Sequence, residues 1–161
     1  MAITDSQWKE IRKHLSKTSL RRWSFATVND MNEPHVAPIA SLFLRDDKTG
    51  FFFDILATNT SKNLENNNKV CVMTLTQGKM FWFKALRKGK FPSPCGIRLK
   101  GTVGEKRKST EEEITTFRKV IHRARKMKGY NILWKNLDYV RDITFEDYIP
   151  MNMRSMTYIV E

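Results

Sequence analysis

The chain has 161 residues, of which 40% are hydrophobic and 11% aromatic, and this composition is sufficient for one folded domain with an apolar core. Its 29 Lys and Arg against 17 Asp and Glu give a formal net charge of +12, which favours anionic partners without choosing among nucleic acid, phosphorylated molecules and membrane surfaces. The composition argues against a disordered chain, and no apolar run approaches the roughly 20 residues that a membrane-spanning helix requires.

Two further global features concern location and metal chemistry. The N-terminal stretch MAITDSQWKE is too polar and acidic for a signal peptide, so we expect a cytoplasmic protein. Cys71 and Cys95 have no other Cys or His at metal-ligand spacing. We therefore expect reduced thiols and no metal site.

The first third of the chain predicts one helix and three strands. Trp8, Ile11 and Leu15 recur at helical spacing in the segment 5–16, which Thr4 or Asp5 can cap. WSFATV and HVAPIASLFL alternate on either side of the turn residues NDMNEP, which is typical of a β-hairpin. After the turn DDKTG, the run GFFFDIL predicts a third strand.

Three more strands and a long helix are predicted in the remainder. KVCVMTLT, MFWFKAL and IRLKGTVGEKR supply the strands, and Gly101 and Gly104 indicate a bulge or a close backbone approach in the last of them. A capping box of Ser109 and Glu112 opens the helix, and Gly129 can close it. The apolar face of this helix comprises Ile114, Phe117, Val120, Ile121, Ala124 and Met127. Six short strands with tight connections indicate an antiparallel barrel or sandwich.

The loop ATNTSKNLENNNKV separates two predicted strands and is rich in asparagine. A strand that runs through polar residues into a short helix presents free backbone N–H groups, which suit a phosphate. Thr58, Thr60 and Ser61 offer hydroxyl groups and Lys62 offers a positive charge. Alternatively, Ser61 simply caps a helical turn, which explains the same composition.

The order of these segments resembles the flavin-binding split barrel of the pyridoxamine 5′-phosphate oxidase superfamily. The resemblance rests on FATV, a turn, HVAP, a third strand and a polar loop ending in NLENNNKV, within residues 23–75. It implies a mainly β, α+β fold: a six-stranded antiparallel split β-barrel of Greek-key type, with an N-terminal helix and a long helix in the C-terminal half. We expect residues 1–161 to form a single FMN-binding domain of this kind.

The resemblance also implies which residues contact FMN. The second strand would lie along the isoalloxazine ring, the end of the third strand would flank the polar edge of the ring, and the loop would hold the ribityl phosphate. Pro38 fits this arrangement because proline needs no ladder partner and the small residues beside it admit the ring. The implied contacts are Ala37, Pro38, Ile39, Ala40, Asp54, Ile55, Leu56, Ala57, Thr58, Thr60, Ser61, Lys62 and Asn63.

The chain departs from the family pattern in two places. Asn59 and Thr60 stand where many members carry a basic pair, so Lys62 matches only with a shortened loop, and Lys84 or Arg87 is the alternative phosphate cation. The terminal sequence IPMNMRSMTYIVE does not match the Arg-containing terminal segment with which genuine pyridoxamine 5′-phosphate oxidases complete their vitamin site. That reaction is therefore not expected.

The expected function is that of an FMN-binding, flavin-dependent oxidoreductase whose substrate the sequence does not identify. No motif identifies a catalytic acid or base, so a flavin, deazaflavin or haem-binding protein without turnover is the alternative. The resemblance implies a homodimer, and the basic charge favours a small anionic or phosphorylated substrate. No membrane partner is expected. A basic nucleic-acid-binding barrel ranks last, because it would leave the flavin-like strands unexplained.

Overall fold

The computed structural model describes residues 2–16, 23–55, 58–75, 78–91 and 94–151. The helices in this part of the chain are α1 (Asp5–Ser16), α2 (Thr58–Asn66), α3 (Lys79–Lys88), α4 (Glu111–Ile121) and α5 (Gly129–Trp134). The strands are β1 (Trp23–Val28), β2 (Pro34–Ile39), β3 (Phe43–Leu44), β4 (Thr49–Phe53), β5 (Lys69–Leu75), β6 (Gly96–Lys108) and β7 (Tyr139–Met151).

The strands form one antiparallel sheet in the order β2-β1-β5-β6-β7-β4-β3. Although β2 and β4 are far apart in this order, Ser41, which follows β2 closely in the chain, joins this end of the sheet to β4. Its hydroxyl accepts a hydrogen bond from the Phe53 N–H at 3.2 Å and donates to the Phe53 carbonyl oxygen at 3.3 Å. The sheet therefore curls into a split barrel. The predicted α+β fold with a mainly antiparallel sheet is confirmed, with seven strands rather than six.

Alternating side chains divide the core into an interior and an outer layer. Phe52 of β4 points into the barrel, where its ring meets Phe25 edge-on at 5.0 Å. Phe51 and Phe53, its neighbours on the same strand, point to the other side and pack with Phe117 of α4. Successive side chains of a strand face opposite sides, so β4 contributes to both layers.

A network of charges attaches α4 to the outside of the barrel. Glu113 in the first turn of α4 accepts hydrogen bonds from Arg107 at 2.7 and 3.1 Å, and from Arg45 at 3.0 Å. Asp142 of β7 bonds the same two guanidinium groups, at 2.6 and 2.9 Å from Arg107 and 2.9 Å from Arg45. Two arginines thus neutralise two carboxylates where β6, β7 and the start of α4 meet.

The prediction of a strand over MFWFKAL was wrong, because this run forms α3. Phe91 packs against Trp82 at a ring separation of 5.2 Å, and Ala85 is fully buried beside them. Gly89 ends the helix at φ 62°, where its N–H reaches the carbonyl oxygens of the last turn. A run of consecutive apolar residues shows neither the helical nor the strand periodicity clearly. Here packing against Phe91 stabilises the helix.

The long helix predicted after Ser109 is broken in two. α4 ends at Ile121, a short 3₁₀ turn covers His122–Ala124, and Gly129 begins α5 instead of ending α4. The capping box lies one residue later than predicted, with Thr110 and Glu113 as its partners. On the predicted apolar face only Phe117 and Ile121 are buried, and Met127 is 66% exposed.

β7 is the largest element that the sequence analysis missed. Its 13 residues pair with β6 along almost their whole length, with register shifts at Lys100/Gly101 and Val103/Lys106. A side chain at Gly101 would collide with the Thr144 carbonyl oxygen. The predicted bulge and close approach in β6 are therefore confirmed, and β7 is the strand that makes the close approach necessary.

Candidate functional site

The helix α2 lies across β1 and β2, where two of its side chains fix it. Leu64 is 5% exposed and belongs to the barrel interior. The Asn63 side-chain amide donates to the Thr27 hydroxyl of β1 at 3.0 Å, and both side chains are buried. The polar loop predicted from the sequence is thus mostly a helix, whose N-terminal turn follows the end of β4 closely.

The first turn of α2 contains the residues predicted to hold a phosphate. Thr58 and Lys62 are exposed, whereas Thr60 is 1% exposed and its hydroxyl has no hydrogen-bond partner among the described residues. The backbone N–H groups of a first helical turn have no acceptor within the helix. The exposed Thr58 and Lys62 and these N–H groups therefore form a set of donors available to an anion, while the Thr60 hydroxyl is a buried donor in the same turn. Leu56 and Ala57 lie outside the described residues.

An ionic cluster next to α2, here called the Asp54 cluster, comprises Asp54, Ser61, Lys106 and Arg141. Asp54 and Arg141 are buried, and Lys106 is exposed. The Arg141 Nε donates to Asp54 Oδ2 at 2.9 Å, and these side chains are only 4% and 3% exposed. The Ser61 hydroxyl donates to the same carboxylate oxygen at 2.8 Å and accepts from Arg141 Nη2 at 3.3 Å. The Lys106 Nζ lies 3.5 Å from Asp54.

The residues that were predicted to hold a phosphate differ in these contacts: some attach α2 to the barrel, and others are exposed. Ser61 and Asn63 use their polar groups to attach α2 to the barrel, through Asp54 and Thr27. The alternative in which Ser61 caps a helical turn is wrong, because α2 begins at Thr58 and Ser61 lies inside it. Asp54 is paired with two cations, and Ile55 is half-buried against the outer layer of the core.

β2 presents the residues predicted to line a flavin ring. It is an edge strand, and Pro38 is paired with Ser24 of β1 by position. Pro38 and Ala40 are exposed, Ala37 is half-buried and Ile39 is 6% exposed. An edge strand tolerates proline because its outer side needs no ladder hydrogen bond. β2 also contacts α2, so these residues lie near that helix.

The alternative phosphate cations Lys84 and Arg87 are remote from this site within one chain. Both lie on α3, whose buried Ala85 packs with Cys95 just before the start of β6. Lys106 and Arg141 lie at the other end of the β6–β7 pair. The sequence analysis missed these two residues. The β-branched and aromatic run VRDITFEDYI could have indicated β7, but no local signal relates Arg141 to Asp54, 87 positions away.

Neither a membrane-spanning helix nor a metal-binding cluster is found among the described residues. No helix there is long and apolar enough to cross a membrane. No group of three or more His, Cys, Asp or Glu there is placed to hold a metal ion.

An antiparallel barrel split between β2 and β4, with a polar helical turn at the split, defines the class of split-barrel proteins. The family model of pyridoxamine 5′-phosphate oxidase matches residues 8–144. The chain therefore belongs to the pyridoxamine 5′-phosphate oxidase family, as the resemblance predicted. Among curated protein sequences, none matches the chain significantly.

Solved structures share this fold at low sequence identity. An FMN-binding protein from Syntrophomonas wolfei subsp. wolfei is 18% identical with a TM-score of 0.57, over 92% of this chain and 94% of that one. An F420 reductase is 11% identical with a TM-score of 0.56, over 81% and 90%. HutZ, the haem storage protein from Vibrio cholerae, is 14% identical with a TM-score of 0.52, over 88% and 92%. Identities this low show a common fold alone.

Proposed function

We propose that the protein binds FMN between β2 and the first turn of α2, and that it is a flavin-dependent oxidoreductase. The observation that carries the proposal is the buried Thr60 hydroxyl, which has no partner in the described part of the chain, at the free end of α2. A buried hydroxyl without a partner is unfavourable, and a bound phosphate would satisfy it. Membership of the family and the fold shared with an FMN-binding protein support the choice of flavin.

The residues of the proposed site would have different roles in holding the cofactor. Thr58, Thr60 and the first-turn N–H groups of α2 would donate hydrogen bonds to the phosphate, and Lys62 would neutralise its charge. Ser61 and Asn63 would hold α2 in place from behind, through the contacts that they already make. A rigid support of this kind keeps a binding turn in its productive geometry.

The ring would lie against the border formed by Ala37, Pro38, Ile39 and Ala40. Asp54, Ile55, Leu56 and Ala57 would face its polar edge, where main-chain groups pair with the pyrimidine part. A bound flavin supplies hydride transfer through its N5 atom, while the protein supplies position and electrostatics. The excess of Lys and Arg would draw an anionic or phosphorylated substrate towards the site.

We further propose that the protein is a homodimer in which the exposed edge of β2 takes part. Val36 on this strand is 62% exposed, although a large apolar side chain gains free energy when it is buried. A second chain would cover it and enclose the flavin ring.

A binding protein without turnover is the second candidate. The names of two solved relatives specify F420 and haem rather than FMN. Neither His35 nor His122 favours haem, since His35 is half-exposed on β2 and His122 donates its Nδ1–H to the Lys119 carbonyl oxygen at the surface. Competition among the three ligands for one site separates these candidates.

The test is a titration of the purified protein with FMN, followed by the quenching of flavin fluorescence. Lys62→Ala should weaken FMN binding about tenfold or more, because a charge-assisted contact contributes roughly 1.5–3 kcal/mol. Lys119→Ala removes an equal charge from the exposed surface of α4 and serves as the control. Equal affinities in the two variants would remove Lys62 from the site.

A further inference from the structure

We propose that α3 docks the protein onto an anionic lipid surface. The inference concerns a face of the molecule that the flavin proposal does not use, since α3 and α2 lie at opposite ends of the β6–β7 pair. The expectation of no membrane partner rested on the lack of a spanning segment, and docking at a surface requires none.

The outer face of α3 exposes large apolar side chains in successive turns. Met80 and Phe83 are each 61% exposed, and Leu86 is 67% exposed. Their spacing of three residues places them on one side of the helix. Single exposed apolar residues are common, but a row of three on one helix indicates a surface that a partner covers.

The opposite face of α3 is firmly packed, so the exposed row is not a sign of a loose helix. Ala85 is fully buried, and Phe91 packs against both Phe81 and Trp82 at ring separations of 5.6 and 5.2 Å. The sulfur of Cys95 completes this small core and donates to the Met151 carbonyl at 3.3 Å. The helix is therefore preformed, and docking needs no folding step.

The charges around the exposed row are all positive. Lys79, Lys84, Arg87 and Lys88 are exposed, and no described carboxylate forms an ion pair with them. The stretch 66–104 contains eight Lys or Arg and no Asp or Glu. A helix that mixes exposed aromatic and aliphatic residues with Lys and Arg, and lacks acids, matches an anionic membrane interface.

Charge complementarity indicates which kind of partner covers the exposed row on α3. A second copy placed face to face on α3 would bring two strongly basic helices together, which repel each other. Nucleic acid would satisfy the charges but would leave Met80 and Leu86 without an apolar environment. A lipid surface satisfies both, because phosphate headgroups pair with the basic side chains while the apolar row enters the acyl boundary.

The experiment is co-sedimentation of the full-length protein with vesicles of phosphatidylcholine, with or without about a third phosphatidylglycerol. The apolar variant is Phe83→Ser with Leu86→Ser, and its control is Ile132→Ser with Leu133→Ser, which changes exposed residues of α5. The charge variant is Lys84→Gln, Arg87→Gln and Lys88→Gln. Its control, Arg125→Gln, Lys126→Gln and Lys128→Gln, removes the same charge from another exposed segment.

We expect the protein to bind the anionic vesicles and not the neutral ones. Both α3 variants should bind at least tenfold more weakly, while both controls bind like the original protein. If the charge variant of α3 and its control lost vesicle binding equally, the binding would depend on net charge alone and the proposal would be overturned. It would also be overturned by binding that the α3 variants leave unchanged, or by an apolar variant that turns a dimer into a monomer in gel filtration, which would assign the face to a second copy.

Discussion

At the scale of single residues, substitution of Thr60 tests whether its hydroxyl is a ligand contact or a folding contact. Thr60→Val keeps the shape of the side chain and removes a buried hydroxyl that has no partner among the described residues. We expect the free energy of unfolding of the protein without flavin to stay the same or rise. FMN affinity should fall about tenfold, since one hydrogen bond to the phosphate is lost. A loss of stability without a loss of affinity, measured by urea unfolding and flavin titration, would show that the hydroxyl is structural.

Arg141, unlike Thr60, already has a buried partner, because its guanidinium compensates the charge of Asp54. Arg141→Met would leave Asp54 with only Lys106 and Ser61, and we expect it to destabilise the fold by about 3 kcal/mol. Adding Asp54→Asn should restore much of this loss, because the uncompensated carboxylate disappears. Urea unfolding of both single variants and the double variant measures the coupling. Additive losses would mean that Arg141 and Asp54 do not stabilise each other.

At the scale of elements, the start of α4 depends on the capping box. The Thr110 hydroxyl accepts from the Glu113 N–H at 3.2 Å, and the Glu113 carboxylate accepts from the Thr110 N–H at 2.9 Å. Thr110→Ala should lower the free energy of unfolding by about 1 kcal/mol, and Thr110→Ser should retain most of it. Thermal unfolding followed by circular dichroism tests this. The same loss in both variants would show that the hydroxyl is not what stabilises the helix.

The charge network beneath α4 predicts how stability depends on pH. Hydrogen bonds from Arg107 lower the pKa of Asp142 below its ordinary 3.8 despite its partial burial. Burial alone would raise the pKa of Glu113, but bonds from Arg107 and the Thr110 N–H lower it below 4.5. Because both values are lower in the folded state, this stabilisation is complete above about pH 4.5. It is lost as the pH falls through the folded-state values.

Arg107→Met should therefore melt at a lower temperature than the original protein at neutral pH. After allowance for solvent around the half-exposed Arg107 and Asp142, we expect a loss of about 1–2 kcal/mol in the free energy of unfolding. The difference in melting temperature should shrink as the pH falls below 4. Lys69→Met, which breaks the exposed pair with Glu146, provides the control and should show almost no difference at any pH. A difference that stays constant down to pH 3 would contradict the role of the two carboxylates.

At the scale of the whole molecule, the fold was predictable where the pattern is local and unambiguous. The alternation in WSFATV and the turn residues after it specify β1 and β2, and the helical spacing of Trp8 and Ile11 specifies α1. MFWFKAL was assigned to the wrong class, because it becomes a helix only through contact with Phe91. β7 lacks clean alternation because the bulged register against β6 buries Val140 and Arg141 in succession.

The sequence predicted which residues make up the candidate site, but not the contacts that those residues make within the fold. Composition located hydroxyl groups and a lysine at the loop, and the family resemblance led to the hypothesis that they bind a phosphate. Only tertiary contacts show that Ser61 and Asn63 hold the helix from behind while Thr60 has no described partner. Arg141 could not have been assigned to the site at all, since its pairing with Asp54 depends on β4 and β7 lying side by side.

The most direct test of the central claim is the visible absorption spectrum of the purified protein after incubation with FMN and removal of the excess. The proposed function predicts a retained flavin spectrum with about one FMN per chain, and a much weaker one for Lys62→Ala with Thr60→Val. A colourless protein that retains no FMN would contradict the claim. The split-barrel fold would stand, and F420 and haem would be the next ligands to titrate.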